Sequence, residues 1–367
     1  MSLQQALTIT EGTAMVYYCY DVGYEIRLSG LERVRGKRTQ QSFLSFTRLM
    51  PPYIQYKTPP LLIRLGKKRM SIDGKEFTVS IDAKIYDFGV ITVRFVFPIS
   101  GSLNQLQSLN FTLIENKTLR DKVMKEFKKI RSDILSSIVE PRSNFLDDWE
   151  EYTIFMVHGF NPDIGAAVLL NEYSTALAQL LRTDRNLSRN EIDEALKNPL
   201  SYREGDLTLI DWSTAFIFDP EKSYDIPDVI EFAVIQLLEL RLYDDILDTI
   251  IDDAYDTLVP ARFSISPFSG TLKKLSQIKL DISEIVDRLE NYLKLIGDLY
   301  LAKIYTTASK RFYLEHWKSA VRGKLATIES LYTASWERTQ TKRMVILETA
   351  IVVLFIIDII LIIIELL

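Results

Sequence analysis

The chain has 367 residues, 47% of them hydrophobic and 25% charged, an ordinary globular composition with room for two domains and appendages. Its formal net charge of −5 argues against a dedicated nucleic-acid binder. The total hides an asymmetry: residues 1–75 carry 12 Lys/Arg against 5 Asp/Glu, and residues 206–260 carry 2 against 14. The two surfaces are expected to face each other, within the chain or between subunits, with phosphate or anionic lipid as the alternative partner of the basic half.

The opening MSLQQALTIT lacks a charged n-region and an apolar core, so it does not read as a secretory signal, and it lacks the arginines of a mitochondrial transit peptide. Ala14–Tyr20 is a strand-like apolar run that contains Cys19, the one cysteine; no intrachain disulfide can form, and a buried thiol in a reducing compartment is expected. Leu61–Gly66, Lys75–Gly89 and Gly89–Ile99 cluster or alternate β-formers. In the last, Val90, Thr92, Arg94 and Val96 oppose Ile91, Val93, Phe95 and Phe97. Asp73-Gly74 marks a hairpin turn, and Pro51, Pro52, Pro59 and Pro60 bracket a loop.

The spacing of Leu119, Val123, Phe127, Ile130, Ile134 and Ile138 predicts a helix over 118–139, ended by Pro141. Tyr152–Phe160 is a further strand, Ile164–Leu181 a helix, and Ser188 with Glu191 a capping-box start for a short one. Asp206–Trp212 and Thr214–Asp219 form a last hairpin. From Asp228 the pattern is helical throughout, with Pro227 suited to a first helical position. Residues 228–258 are apolar enough to pack on more than one side.

After a break at Pro260, Pro267 and Gly270, the positions Leu275, Ile278, Ile282, Ile285, Leu289, Tyr292, Ile296 and Leu299 step alternately by three and four, the seam of a coiled coil or long helical hairpin. A second run, Trp317, Val321, Leu325, Ile328 and Leu331/Tyr332, follows, with the pair turning in Ala308–His316. Lys342 and Arg343 then precede Met344–Leu367, where 18 of 24 residues are Leu, Ile, Val or Phe. As a helix this segment spans about 36 Å, enough for a hydrocarbon core of roughly 30 Å. Its aliphatic residues favour insertion by about 5–11 kcal/mol, and Asp358 opposes it by about 3. The basic pair would leave residues 1–343 in the cytoplasm. Asp358 and Glu365 share one helix face and Glu348 lies about 80° away, so this face should meet protein rather than lipid, with self-association the expected use.

Constellations that carry chemistry are few. His158-Gly159-Phe160 after a strand is similar to the oxyanion loop of α/β-hydrolases, but no Gly-x-Ser-x-Gly elbow occurs, and a histidine bonded to backbone is the better account. Asp244, Asp248, Asp252 and Asp256 repeat every four residues, joined by Asp245 and Asp253; pairing with basic residues of the first domain is favoured over a hard-cation site. Basic clusters at Arg33, Arg35, Lys37, Arg38 and at Arg64, Lys67, Lys68, Arg69, with Tyr53 and Tyr56 between them, offer contact to an anion, an RNA or the inner leaflet, beside the plainer reading of a solvated face. No phosphate-binding glycine loop, Cys/His metal spacing or dinucleotide fingerprint is present, so no cofactor, metal or catalytic residue is expected.

The layout resembles the family related to Sad1-interacting factor and to the protein required for meiotic nuclear division. Met15–Ile26 is similar to that family's opening strand. Ile85–Phe95 is similar to its Phe-x-Tyr-Gly-Val-Val motif, with Asp87-Phe88 in place of Glu-Tyr. Glu239-Leu240-Arg241 and Leu247-Asp248-Thr249 match a further motif, with Ile250 replacing a proline. Leu347-Glu348 and Asp358 fit its terminal span. The resemblance implies a non-enzymatic, membrane-anchored protein that oligomerises. Mitochondrial members are linked to organellar translation, and the missing transit peptide favours a bacterial or archaeal plasma membrane.

The expected protein is therefore α+β: a mixed cytoplasmic head over 1–220, a helical segment packed on it over 221–270, a coiled-coil or hairpin neck over 271–341, and a transmembrane anchor over 342–367. Its expected function is a homo-oligomeric membrane scaffold or adaptor with an unknown protein partner, the alternative being a tether for RNA or ribosomes through the basic clusters.

Overall fold

The computed structural model describes residues 7–29, 31, 39–41, 60–72, 74–114, 116–143, 149–223, 225–258 and 298–365. They fall into two compact units, one of Met1–Glu239 with Asn291–Glu315, the other of Leu240–Glu290 with His316–Leu367.

The first unit is built on an eight-stranded sheet. Its strands are β1 (Thr8–Asp21), β3 (Thr39–Gln41), β4 (Leu61–Ile72), β5 (Lys75–Ile85), β6 (Val90–Ser102), β8 (Trp149–Asn161), β9 (Leu207–Ile210) and β10 (Thr214–Phe218), in the order β3-β4-β5-β6-β1-β8-β10-β9. A separate ladder pairs β2 (Gly23–Ile26) with β7 (Ile138–Pro141). All neighbours in the large sheet are antiparallel except β8 and β10. A parallel pair needs a crossover, and the chain between these two strands supplies α3 (Ala166–Glu172), α4 (Ser174–Arg182) and α5 (Arg189–Ala195) before β9.

β1 lies near the middle of the sheet and is buried on both sides. Ala14, Val16, Tyr18 and Tyr20 join the main core with Ile91, Val93, Phe95 and Phe97 of β6, and Met15, Tyr17 and Cys19 are also buried. The two-residue period of a strand gives each face its own set. The first face is covered by α1 (Leu103–Ile114) and α2 (Lys117–Ile134) with α3 and α4. The second lies under the first half of α6 (Asp225–Leu258) and under α7 (Leu299–Arg311). Every residue from Val229 to Leu240 is buried, as an all-round apolar helix should be. Side-chain caps start four of the described helices: Ser102 accepts from Gln105 N at 3.3 Å, Asn116 from Leu119 N at 2.9 Å, Ser188 from Glu191 N at 3.2 Å, and Asp298 from Tyr300 N at 2.8 Å. Gly89 closes the β5–β6 hairpin at φ +95, where a Cβ would overlap the Gly23 carbonyl oxygen.

Several boundaries differ from the sequence expectation. The helix over 118–139 stops at Ile134; a 3-10 turn over Leu135–Ser137 follows, and Ile138 is buried from strand β7, because β2 offers that segment a ladder partner. The segment Ile164–Leu181 is two helices that meet at Tyr173, and its apolar positions run on across the break. Pro227 is the third residue of α6 rather than the first; it still lies in the first turn, where no N–H partner is required. Helix α1 was not anticipated, since its Ser, Asn and Thr residues are weak helix formers and only Leu103, Leu106 and Leu113 mark its buried face among the leucines. Of the proposed seam, Leu275, Ile278, Ile282, Ile285, Leu289, Tyr292 and Ile296 lie outside the described residues. Leu299 opens α7 and is 74% exposed. Arg33, Arg35, Lys37, Arg38, Tyr53 and Tyr56 also lie outside the described residues.

In the second unit, α8 (Leu314–Glu365) begins just after Tyr313, a residue held at φ +54. Val321 and Ile328 of α8 are buried, as are Leu247 and Ala254 of α6. The Arg241 guanidinium sits 5.8 Å from the centre of the Trp317 ring. From Met344 to Ile364 the helix is 21 residues of mean hydropathy 2.9, and none of its apolar stretch is buried.

Candidate functional site

Four constellations gather polar or apolar groups in a way that invites function. The first is a charged cluster under α6. Lys84, on the second face of β5, donates to Asp228 and to Glu231, each at 2.7 Å. Glu231 also accepts from Tyr86 at 3.0 Å and from Thr92 at 2.6 Å, so its carboxylate is surrounded by donors. Beside it, Arg94 forks onto Asp82 with two bonds of 2.9 Å. Burial pulls the Lys84 ammonium down, but Asp228 and Glu231 outweigh it and hold its pKa above the ordinary lysine value. Burial pushes Glu231 up, and Lys84 with Arg94 outweighs that, leaving it below the usual carboxylate range. Two cations set against three carboxylates tie α6 to the sheet, and burial raises the pKa of the third, Asp228, against the pull of Lys84. The sequence signal was a lone lysine and a lone glutamate inside apolar runs, and neither was singled out.

The second constellation is a cleft of about 790 Å³ in the first unit, between the α5 region, the β9–β10 turn and the outer side of α7. Asp211 is buried at its floor. The Arg182 Nε lies 2.8 Å from the Asp211 Oδ2, an ion pair without hydrogen-bond alignment, and Arg311 reaches the other oxygen at 3.9 Å. Burial raises the Asp211 pKa, and Arg182 opposes the rise. Arg311 also donates to the Glu194 and Lys197 carbonyls at 2.7 and 3.1 Å, closing the chain end that follows α5. Sequence reasoning missed this cleft because residues about 100 apart build it, and no local spacing links Trp212 to α7.

The third is the acidic ladder of α6. Asp244, Asp245 and Asp248 bring carboxylate oxygens within 4.8 Å of one another. Lys324 of α8 meets Asp244 and Asp248 at 2.7 Å each. Among the described residues, the cation that meets Asp244 and Asp248 is thus supplied by α8. Asp252 and Asp253 are exposed, and the Asp256 side chain lies outside the described residues.

The fourth is the bare stretch of α8. Glu348 and Asp358 are exposed on it, and the side chains of Lys342, Arg343 and Glu365 lie outside the described residues. Elsewhere, the basic residues of β4 do not form one patch. Opposite partners in an antiparallel pair point to the same side. Arg64, Lys67 and Arg69 face with Asp82, Ser80 and Thr78, whereas Lys68 faces with Val79 and pairs with Glu126 of α2. His158 Nδ1 donates to the Asp219 carbonyl oxygen at 2.9 Å, as a histidine in a structural role would.

A family model described as "Uncharacterized protein MJ0711, N-terminal domain" matches residues 11–225. Uncharacterized protein MJ0711 of Methanocaldococcus jannaschii is 26% identical over 250 residues, covering 67% of this chain and 76% of that protein. No solved structure matches the chain. The matches overturn the resemblance to the family of Sad1-interacting factor and the meiotic nuclear division protein. The segments that carried it, such as Met15–Ile26 and Ile85–Phe95, are largely buried strands of a central sheet, whose alternating aromatics and aliphatics recur wherever a strand is covered on both faces.

Proposed function

This chain belongs to the family described as the N-terminal domain of uncharacterized protein MJ0711, and we propose that it acts as a membrane-anchored adaptor, held in the bilayer by Met344–Ile364 and assembled into homo-oligomers through the acidic face of that helix. The observation that carries this reading is a stretch of 21 residues with mean hydropathy 2.9 and no cover. An apolar surface of that size in water is a liability unless lipid or protein meets it. Insertion favoured by about 5–11 kcal/mol survives the roughly 3 kcal/mol that Asp358 costs. The Lys342-Arg343 pair sets the preceding residues on the cytoplasmic side by the positive-inside rule. Binding rather than catalysis is the proposed role of the first unit, since Glu231 and His158 are both committed to partners inside the fold.

The test is a pair of variants of the intact chain. Val353→Lys with Ile357→Lys adds about 5–7 kcal/mol against insertion, enough to consume most of the margin. The double variant should leave the membrane fraction, while Asp358→Leu should stay in it and lose mass as an oligomer in detergent. Retention of the lysine variant in the membrane would refute the anchor. An unchanged size for Asp358→Leu would refute assembly through that face.

A further inference from the structure

We propose that the cleft along α7 binds a nucleotide, its phosphates on Lys303 and Lys310 and its base against Trp212 and Tyr313. The site lies wholly in the first unit and stands whether or not α8 enters a bilayer.

Charge is the first argument. Five cationic side chains and two carboxylates line the cleft, in a chain whose net charge is −5. Three of the cations are spoken for: Arg182 and Arg311 by Asp211, and Lys197 by Glu194 at 3.2 Å. Lys303 and Lys310 are exposed and have no ionic or hydrogen-bond partner among the described residues. Seven residues apart, they share one face of α7 about 10 Å apart along its axis, a span that suits a chain of phosphates better than a single small anion.

Aromatic exposure is the second. Trp212 is 44% and Tyr313 65% exposed, with ring centroids 6.2 Å apart. Phe312 backs Trp212 edge-on at 6.4 Å. A tryptophan left half in water and buttressed from behind offers a stacking face rather than core filling. Tyr313, in the turn that follows α7, donates its N–H to the Lys310 carbonyl at 3.2 Å, so platform and cation adjoin.

The choice of ligand follows from which cations are free. A planar carboxylate is best met by an arginine fork, and both arginines here hold Asp211. Lysine ammoniums act as point charges suited to phosphate. Phosphate beside an aromatic platform describes a nucleotide. The volume of about 790 Å³ lies within the range of small-ligand pockets, about 300–1,000 Å³. The same chemistry is offered by a free nucleotide or by one within a single strand of RNA.

The experiment is calorimetric titration of the intact protein in detergent with ATP, inorganic triphosphate and a short oligoadenylate. The variants are Lys303→Glu with Lys310→Glu, and Trp212→Leu, each checked for an unchanged thermal transition. We expect the charge reversal to weaken ATP and oligoadenylate by at least about tenfold. Trp212→Leu should weaken both by about fivefold or more and leave triphosphate unchanged. Oligoadenylate much tighter than ATP identifies a strand as the source, and equal affinities identify a free nucleotide; either outcome supports the site. No binding of ATP or oligoadenylate at millimolar concentration would overturn it. So would affinities indifferent to the charge reversal, or triphosphate binding as tightly as ATP with Trp212→Leu without effect.

Discussion

Glu151, near the start of β8, shows how burial alone can make one side chain sense pH. Its side chain is 12% exposed, and Arg120 stands 3.7 Å away. The Tyr18 hydroxyl donates to it at 3.2 Å. Burial pushes the carboxyl from 4.5 up to about 7, against the pull of Arg120 and Tyr18. Below pH 4.5 the group is protonated folded or unfolded and contributes nothing to pH dependence. Between 4.5 and 7 the native state keeps a proton that the unfolded chain has released, so stability falls as pH rises, by up to about 3 kcal/mol, and is level above. Glu151→Gln cannot ionise and still accepts from Tyr18, and the half-exposed Arg120 loses little. In denaturant titrations, the variant should gain on the wild type progressively from pH 4.5 to 7 and hold that advantage at pH 8. Parallel curves would mean that Glu151 is solvated. The alternation of β8 predicts that neighbouring residues face opposite ways. It cannot say which glutamate is covered, because the groups around Glu151 come from β1 and from α2.

At the scale of elements, the tie between β5 and α6 is the most consequential one that sequence reading passed over. Glu231→Leu would leave Lys84 buried with Asp228 as its remaining anionic contact, at a cost of about 3–5 kcal/mol. Lys84→Met with Glu231→Leu removes both charges and should cost far less than the two single changes added together. Unfolding midpoints of the four proteins in detergent measure this, and strict additivity would show that the two residues do not act as a pair. The strands were legible because a strand turns alternate residues to opposite faces: Ile91, Val93, Phe95 and Phe97 gave one face of β6 directly. Helix α2 was legible up to Ile134 for the matching reason at a period near 3.6. Its end was not, because Ile138 keeps the helical spacing while a ladder with β2 claims it. Helix α1 has one local mark, the capping box of Ser102 and Gln105, whereas the split at Tyr173 depends on what packs around it. The cleft is an element-scale object too, since α7 and the β9–β10 turn meet only after the chain has folded.

For the molecule as a whole, charge and hydropathy set the account. The acidic stretch 206–260 was expected to face the basic residues of 1–75. Among the described residues, acids of that stretch meet Lys84, Arg182, Arg203, Arg311 and Lys324, while Arg33, Arg35, Lys37 and Arg38 lie outside the described residues. Three of the four basic residues of β4 share one face, opposite to Lys68. The apolar stretch of α8 was the clearest feature in the sequence and stands uncovered among the described residues. The most direct measurement is alkaline carbonate extraction of native membranes, followed by detection of the intact chain at full mass. The protein should stay in the pellet and be released only by detergent. Recovery of the uncleaved chain in the supernatant would contradict the membrane anchor.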